Sequence, residues 1–212
     1  MDVLEKNGQG LNLTHEVRDG ILKHSKGYGR ILPEDPAERA FTLEGQVVRV
    51  ADIMAYLNHD LDDAVRSGVV EKGQIPAICT DVLGRTHSDR ATTMVRDLVF
   101  TSRPRNGTLV LEMSDEVFQA MIALRKFLFE NVYRAIRVHK EFVKAKKILS
   151  ELYAYFLENG AMLQQELEKM DMGACNRRHR SRERVVCDFL ASTTDRYALN
   201  LYGRIFFPSP MV

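Results

Sequence analysis

The chain has 212 residues, of which 45% are hydrophobic and 28% are charged. These proportions are ordinary for a globular protein and exclude the collagen-like, low-complexity and intrinsically disordered classes. The chain has 30 lysines and arginines and 29 aspartates and glutamates, so its formal net charge of +1 is too small to draw the protein toward nucleic acid or lipid. At this length we expect one large domain, or one domain with an appendage.

No apolar run approaches the roughly 18 residues that a membrane-spanning helix requires, and the first residues do not resemble a signal peptide. Three scattered cysteines, Cys79, Cys175 and Cys187, favour reduced thiols over a disulfide framework or a zinc site. We therefore expect a cytoplasmic protein without a membrane partner.

Apolar residues recur at three- and four-residue spacing along most of the chain. This periodicity predicts an all-α, bundle-like fold with at most one short strand or hairpin. The first helix is predicted to follow Thr14 as N-cap and to run toward Lys26. A second helix is predicted over Leu43–Arg66, closed by Gly68.

A third helix is predicted over His87–Thr101, followed by an exposed turn at Arg103–Gly107 and a short strand at Thr108–Met113. Ser114, followed by two acids, predicts the start of a fourth helix whose apolar face continues to Ile136. The remainder, from Glu141, is predicted to be helical.

Breaks between these last helices are predicted near Asn159–Gly160 and at Gly173, because glycine disfavours the helix interior. The part of the chain after about residue 107 is a candidate subdomain.

Asp52, Tyr56 and Asp60 are spaced i, i+4, i+8 in the second predicted helix, so they form one polar stripe along a single face. The segment around them, residues 47–56, is apolar nearly all round, which is typical of a buried helix.

A carboxylate buried there would cost several kcal/mol, about the penalty for an unpaired charge, unless a cation or several donors receive it. Three explanations of Asp52 are open on spacing alone. The face is partly exposed to water, an arginine such as Arg49 or Arg90 pairs with the carboxylate, or the stripe belongs to a functional site.

Several segments of the chain, taken in order, resemble the bacterial deoxynucleoside triphosphate triphosphohydrolases of the HD superfamily, also described as deoxyguanosine triphosphate triphosphohydrolase-like proteins. The resemblance extends from residue 3 to about residue 202. The segments are LNLT (11–14) with EV (16–17), KH (23–24), TLEGQVVRVAD (42–52), AYLNHDLDDA (55–64), FLFENVY (127–133) and TDRYAL (194–199).

This resemblance implies an HD-superfamily helical fold and the metal-dependent cleavage of a deoxynucleoside triphosphate into deoxynucleoside and tripolyphosphate. It implies a divalent metal ion such as Mg²⁺ or Mn²⁺, held by a His, an adjacent His-Asp pair and a final Asp. Asp52 matches that final ligand. Family members assemble as homo-oligomers, so the resemblance also implies a homo-oligomer.

The resemblance further assigns substrate contacts to four residues, but it assigns no catalytic acid or base. Tyr56 and Asp60 match positions that face the deoxyribose, where the acid accepts a hydrogen bond from the 3′-hydroxyl. Arg125 matches a phosphate contact, and Tyr133 matches a residue of the sugar and base pocket. The residues alone leave an alternative for two of these positions. Arg125 is also compatible with a solvated charge beside Lys126, and Tyr133 is also compatible with an aromatic residue of the core.

The sequence departs from the family pattern because three of the four metal ligands have no counterpart. Its one His-Asp pair, His59-Asp60, lies in the second predicted helix and matches the sugar-contacting stretch. Ile53 replaces the basic residue that many relatives carry after the metal-binding Asp.

We therefore expect residues 1–107 to be the C-terminal half of an HD-type catalytic domain, and residues 108–212 to be its helical associated subdomain. The metal is expected to bind weakly or not at all to this chain alone, which leaves enzymatic activity an open question.

Two alternatives are retained. The chain is a non-catalytic helical module, left by truncation, that binds nucleotide or forms an oligomer interface. Alternatively, the arginine-rich run at residues 177–184 binds nucleic acid. The second alternative is the weaker, because such runs are more often solvated and no aromatic residue is interleaved to stack bases.

Overall fold

The computed structural model of the chain describes residues 5–6, 9–25, 31–170 and 181–208. The chain divides into two compact units: the first comprises Thr14–His139, and the second comprises residues 1–13 and 140–212.

The first unit contains four α-helices and a two-stranded antiparallel hairpin. In chain order these are α1 (His15–His24), α2 (Leu43–Arg66), α3 (His87–Thr101), β1 (Arg103–Arg105), β2 (Thr108–Val110) and α4 (Asp115–Leu128). All four helices begin at an N-cap residue whose hydroxyl oxygen accepts a hydrogen bond from a backbone N–H group of the first turn. The capping residues are Thr14, Thr42, Thr86 and Ser114.

The core of the first unit lies where α2, α3 and α4 meet. Its fully buried side chains include Leu57, Leu61, Met94, Leu124 and Leu128. Helix α1 packs closely on the start of α2, because a Cβ added at Gly45 would lie 3.1 Å from the Cα of Gly20. Glycine at this crossing lets the two backbones approach one another.

The second unit contains most of α5 (Ile136–Glu158), together with α6 (Gly160–Lys169), α7 (Arg182–Ser192) and α8 (Asp195–Phe206). Its core is formed by aromatic and leucine side chains. The rings of Phe156 and Phe189 meet edge to face with centroids 5.2 Å apart, which is a favoured aromatic geometry.

The predicted fold class is confirmed: the described part of the chain is mainly α-helical with one short hairpin. The predicted limits of α2 and α3 match the structure, and the helix break at Asn159 is confirmed. No helix within the described ranges combines the length and the low polarity that crossing a bilayer requires. The cytoplasmic location stays a prediction.

Three local predictions are wrong. The predicted turn contains strand β1, so that only Asn106 and Gly107, both with positive φ, form the turn, and strand β2 ends at Val110. Helix α4 does not continue to Ile136, which is 76% exposed. Helix α1 ends at His24 instead of continuing toward Lys26, which, like Gly173, lies outside the described residues.

Candidate functional site

The polar stripe lies at the edge of the buried face of α2. The side chains of Tyr56 and Asp60 are half-buried, whereas Asp52 is exposed. The helix buries Val50, Ile53, Met54, Leu57 and Leu61 on one side only.

The expectation that residues 47–56 are buried all round is therefore wrong. The segment has more apolar residues than one helix face can bury against its neighbours, so Val48 is 52% exposed. Of the three explanations for Asp52, exposure to water is confirmed, and no desolvation penalty has to be offset.

Each of the two arginines considered as partners of Asp52 makes a contact elsewhere in the first unit. Arg49 is buried, and its guanidinium donates to the backbone carbonyl of Lys23 at 2.9 Å. Arg90 forms an ion pair with Asp62 at 2.6 Å.

Four of the five predicted site residues lie in one cluster, which joins α2 to the end of α4. The hydroxyl of Tyr133 donates a hydrogen bond to the carboxylate of Asp60, 73 positions away in sequence. Partial burial, together with that hydrogen bond and the nearby negative charge, holds the pKa of Tyr133 above its usual value of 10. Tyr56 and Arg125 also act electrostatically on Tyr133, so both belong to the same cluster.

Arg125 is a buried member of this cluster, with 5% of its surface exposed. The interpretation of Arg125 as a solvated surface charge is therefore wrong. Tyr133 is 41% exposed, so the interpretation as a core aromatic is wrong too. A buried guanidinium beside two tyrosines and a carboxylate offers one cation, one anion and aromatic surface to a ligand.

The backbone between Arg125 and Tyr133 explains how both side chains reach the cluster. Helix α4 changes at Leu128 into a π-helical turn, Phe129–Tyr133, which has a wider spacing than an α-helix. Turns of this kind redirect side chains and are frequent at functional sites. Sequence periodicity predicted one continuous α-helix here and therefore missed the turn.

A second polar network lies on the other side of α2 and was missed. The buried guanidinium of Arg90 donates to the side chain of Asn58 at 3.0 Å and to Asp62 at 2.6 Å, and His87 contacts the other oxygen of Asp62 at 2.8 Å. From the sequence, Arg90 was open to pairing with Asp52, and His87 and Arg90 were open to a capping role at the start of α3. The cap is made by Thr86 and Asp89, which bond to each other's backbone N–H groups.

The spacing of Asn58 and Asp62, i and i+4 on α2, was a signal that both could bind one partner. Hydrogen bonds from Arg90 and His87 outweigh the burial of Asp62 and lower the pKa of that carboxyl below 3.8.

Of the four metal ligands in the family pattern, only the last, Asp52, has a counterpart in the described part of the chain. Within residues 5–6, 9–25, 31–170 and 181–208, no group of three or more His, Cys, Asp or Glu side chains is arranged to hold a metal ion. Asp52 is therefore not part of such a group, and the residues described here do not form a metal centre by themselves.

The arginine-rich run falls mostly outside the described residues, because residues 171–180 are not described. Its last part begins α7, where Ser181 is the N-cap and Arg184 pairs with Asp188 at 2.9 Å. The nucleic-acid prediction stays a prediction.

Comparison with known families identifies the C-terminal half of the chain. Residues 111–204 match a family described as the phosphohydrolase-associated domain. This region lies within the predicted subdomain at residues 108–212, whereas the compact units divide the chain between His139 and Lys140. The boundary at residue 107 stays a prediction.

Curated relatives named deoxyguanosinetriphosphate triphosphohydrolase-like protein match the whole chain. One from Desulfatibacillum aliphaticivorans is 54% identical over all 212 residues, which cover 60% of its own length. One from Caldanaerobacter subterraneus subsp. tengcongensis is 40% identical over 99% of the chain and 56% of its own length. One from Clostridium tetani is 36% identical over 99% of the chain and 58% of its own length. The chain thus spans about 60% of the length of these relatives.

Proposed function

The chain is homologous along its whole length to the deoxyguanosinetriphosphate triphosphohydrolase-like proteins, and on this premise we propose that it forms the nucleoside-binding side of a triphosphohydrolase site. The reaction proposed for the longer protein is hydrolysis of a deoxynucleoside triphosphate to deoxynucleoside and tripolyphosphate. The resemblance stated from the sequence is confirmed by the comparisons, whereas this activity is a proposal.

The observation that carries the proposal is the bond between Tyr133 and Asp60, with Tyr56 and Arg125 beside it. Residues from two separate helical segments meet in one half-exposed cluster. Such a cluster offers a hydroxyl donor, a carboxylate acceptor and a guanidinium, which together suit a sugar hydroxyl and a phosphate.

We propose a distinct role for each member. Asp60 accepts a hydrogen bond from the 3′-hydroxyl of the deoxyribose. Tyr133 is protonated at neutral pH, as any phenol with a pKa of 10 or above is, so it remains a donor that orients Asp60. Tyr56 packs its ring against the sugar, and Arg125 binds phosphate oxygens through its planar fork.

Asp52 is proposed as one ligand of the divalent metal ion that the family uses, such as Mg²⁺ or Mn²⁺. Its carboxylate is exposed to solvent, so no cation is needed to offset a cost of burial. One carboxylate by itself holds a hard divalent ion weakly, since the ion keeps most of its water. The described residues do not supply a complete site, and we derive no reaction step from the metal.

The proposed nucleoside site is tested by nucleotide binding to the 212-residue chain, measured by calorimetry with each deoxynucleoside triphosphate in the presence of EDTA. We expect Asp60→Asn and Tyr56→Ala to weaken binding about tenfold or more, the usual effect of losing a charged hydrogen bond or an aromatic contact. Asp63→Asn is the matched control, because Asp63 is an exposed acid on the same helix outside the cluster.

Equal binding by the wild-type chain and Asp60→Asn would contradict the nucleoside site. A loss in the Asp63→Asn control as large as that in Asp60→Asn would show that only the overall charge of α2 matters.

The catalytic part of the proposal is tested by tripolyphosphate release with Mg²⁺ or Mn²⁺. If the chain turns over, Asp52→Ala is expected to reduce release, and unchanged release would remove Asp52 as a ligand. Nucleotide binding without hydrolysis at any metal concentration is the result that the non-catalytic alternative predicts.

The proposal includes the predicted homo-oligomer. It is supported by large apolar side chains that are exposed on α5, namely Ile136, Phe142 and Val143. Exposed apolar patches of this kind often mark interaction surfaces. Analytical ultracentrifugation that finds only monomer over a wide concentration range would contradict it.

A further inference from the structure

A cavity of about 700 Å³ opens in the first unit, on the side of α2 that is turned away from Asp60. Its wall includes Asp62, two positions after Asp60, and a separation of two residues is a rotation of about 200° around an α-helix. The cavity and the Tyr133–Asp60 cluster therefore lie back to back on one helix. A volume of this size falls within the range of roughly 300–1,000 Å³ that is typical of small-molecule sites.

The wall of the cavity is divided between apolar and charged side chains. Leu61, Val65 and Ile75 supply apolar surface. The charged lining consists of four cations and two acids, namely Arg66, Lys72, Arg85 and Arg90 with Asp62 and Asp81. The net formal charge of the lining is positive.

Three of these six charges are in ion pairs. Arg90 and Asp62 bind each other at 2.6 Å, and Arg66 pairs with Asp63. Among the described residues, neither Lys72 nor Arg85 has an ion-pair partner. Two cations in the wall are therefore available to an anion from solution.

Both of these cations belong to backbone that is held in place. Lys72 begins a short helical turn in which the N–H of Glu71 donates to the side chain of Gln74 at 2.8 Å. The carbonyl oxygen of Arg85 accepts a hydrogen bond from the guanidinium of Arg90 at 3.3 Å. The backbone that carries both side chains is thus positioned before any ligand arrives, which lowers part of the entropic cost of binding.

We propose that this cavity is a second ligand site, which binds an organic phosphate of about nucleotide size. The phosphate binds Lys72 and Arg85, and the apolar part of the ligand packs against Leu61, Val65 and Ile75. Inorganic phosphate alone would leave most of the volume and all of the apolar wall unused. The site does not depend on the function proposed for the Tyr133–Asp60 cluster.

The first test is titration of the 212-residue chain with adenosine 5′-monophosphate, inorganic phosphate and adenosine, followed by calorimetry. We expect the monophosphate to bind more tightly than either of its parts. Lys72→Ala and Arg85→Ala should each weaken its binding about tenfold, as expected for the loss of one charge-assisted contact. Asp81→Ala should strengthen binding, because it removes the unpaired negative charge of the wall.

One control separates this site from general charge effects. Arg103→Ala removes an exposed arginine of the same unit that does not line the cavity. This variant should bind the monophosphate like the wild-type chain. Equal weakening by Arg103→Ala would overturn the proposal, and so would an unchanged affinity in Lys72→Ala and Arg85→Ala.

The second test fills the cavity without changing its charge. Gly73 lines the cavity, and a Cβ added there meets no atom within 4 Å, so Gly73→Phe should fold normally. This variant should lose binding of the monophosphate while its thermal unfolding stays that of the wild-type chain. Wild-type affinity in Gly73→Phe would show that the ligand binds outside the cavity.

Discussion

Each unit of the protein contains a tyrosine hydroxyl that donates to a carboxylate, and the two pairs have opposite surroundings. In the first unit Tyr133 binds Asp60, and both side chains remain partly open to solvent. In the second unit Tyr197 binds Glu166, which is 1% exposed. Glu166 also receives Lys169 at 2.6 Å and Arg204 at 3.1 Å.

We interpret this difference in burial as a structural role for Glu166 and a binding role for Asp60. Glu166 has three partners inside the protein, so its charge is compensated and little of its capacity remains for a ligand. Asp60 accepts the hydrogen bond from Tyr133 and keeps an accessible surface for another donor. We therefore expect the same chemical pair to stabilise the second unit and to be available to a ligand in the first.

The largest effect on stability is expected from Arg90→Ala. This variant tests whether a buried charged side chain of the first unit stabilises the fold as Glu166 is expected to do in the second. Arg90 is buried in the first unit and bonds to Asn58, Asp62 and the backbone of Arg85. Its loss leaves the buried amide of Asn58 without its donor, so we expect a loss of about 3 kcal/mol in the free energy of unfolding. Urea unfolding followed by circular dichroism measures this loss.

Arg96→Ala is the matched control for Arg90→Ala, because Arg96 is an exposed arginine on the same helix. A small effect of Arg90→Ala, similar to that of the control, would show that the network on this side of α2 does not stabilise the fold.

Glu166→Gln is expected to have the next largest effect. The substitution keeps the shape of the side chain but removes the charge that Lys169 and Arg204 neutralise. Both cations can turn to solvent, so we expect a loss of about 2 kcal/mol, near the value of one hydrogen bond to a charged group. Glu168→Gln, an exposed acid two residues along the same helix, is the control in the same unfolding experiment. Equal stability of the two variants would contradict the structural role of Glu166.

The pH dependence of stability sharpens the same point. Burial of Glu166 opposes its ionisation, but the hydrogen bonds from Lys169 and Tyr197 outweigh burial and hold its pKa below the ordinary 4.5. A carboxyl whose pKa is lowered by folding contributes stability that is present above its unfolded pKa and is lost as the pH falls through the folded value. The stability difference between the wild-type chain and Glu166→Gln should therefore shrink below about pH 4.5.

This dependence is measured by urea unfolding of both proteins between pH 7 and pH 3 (a range of about four units around the relevant pKa values). A difference in stability that stays constant over that range would mean that the Glu166 carboxyl has the same pKa in the folded and unfolded chain.

The sequence was most informative where local patterns decide the structure. Helices α2 and α3 were predicted with their observed limits, because hydroxyl N-caps and apolar periodicity act within a few residues. The π-helical turn at Phe129–Tyr133 was not predictable in this way. Its apolar spacing fits a continuous helix as far as Val132, and only the packing at the end of α4 distinguishes the two.

The candidate site was predicted through its resemblance to a family, and spacing alone did not place its members together. Spacing put Asp52, Tyr56 and Asp60 on one face but left the exposure of Asp52 open. The contact between Asp60 and Tyr133 spans 73 positions and depends on how α4 packs against α2. The cavity beyond Asp62 had no sequence signal, because its charged residues come from α2, from the segment that connects α2 to α3, and from the start of α3.

The smallest effect on stability is expected from Asp60→Ala, and this variant tests the comparison most directly. Tyr133 is half-exposed, so water can replace the lost acceptor, and the change in the free energy of unfolding should stay within about 0.5 kcal/mol, as for other surface substitutions. Urea unfolding measures this change, and Asp63→Ala on the same helix is the control. Normal stability combined with lost nucleotide binding would assign Asp60 to a ligand. A destabilisation as large as that of Glu166→Gln would instead make the two tyrosine–carboxylate pairs structurally equivalent.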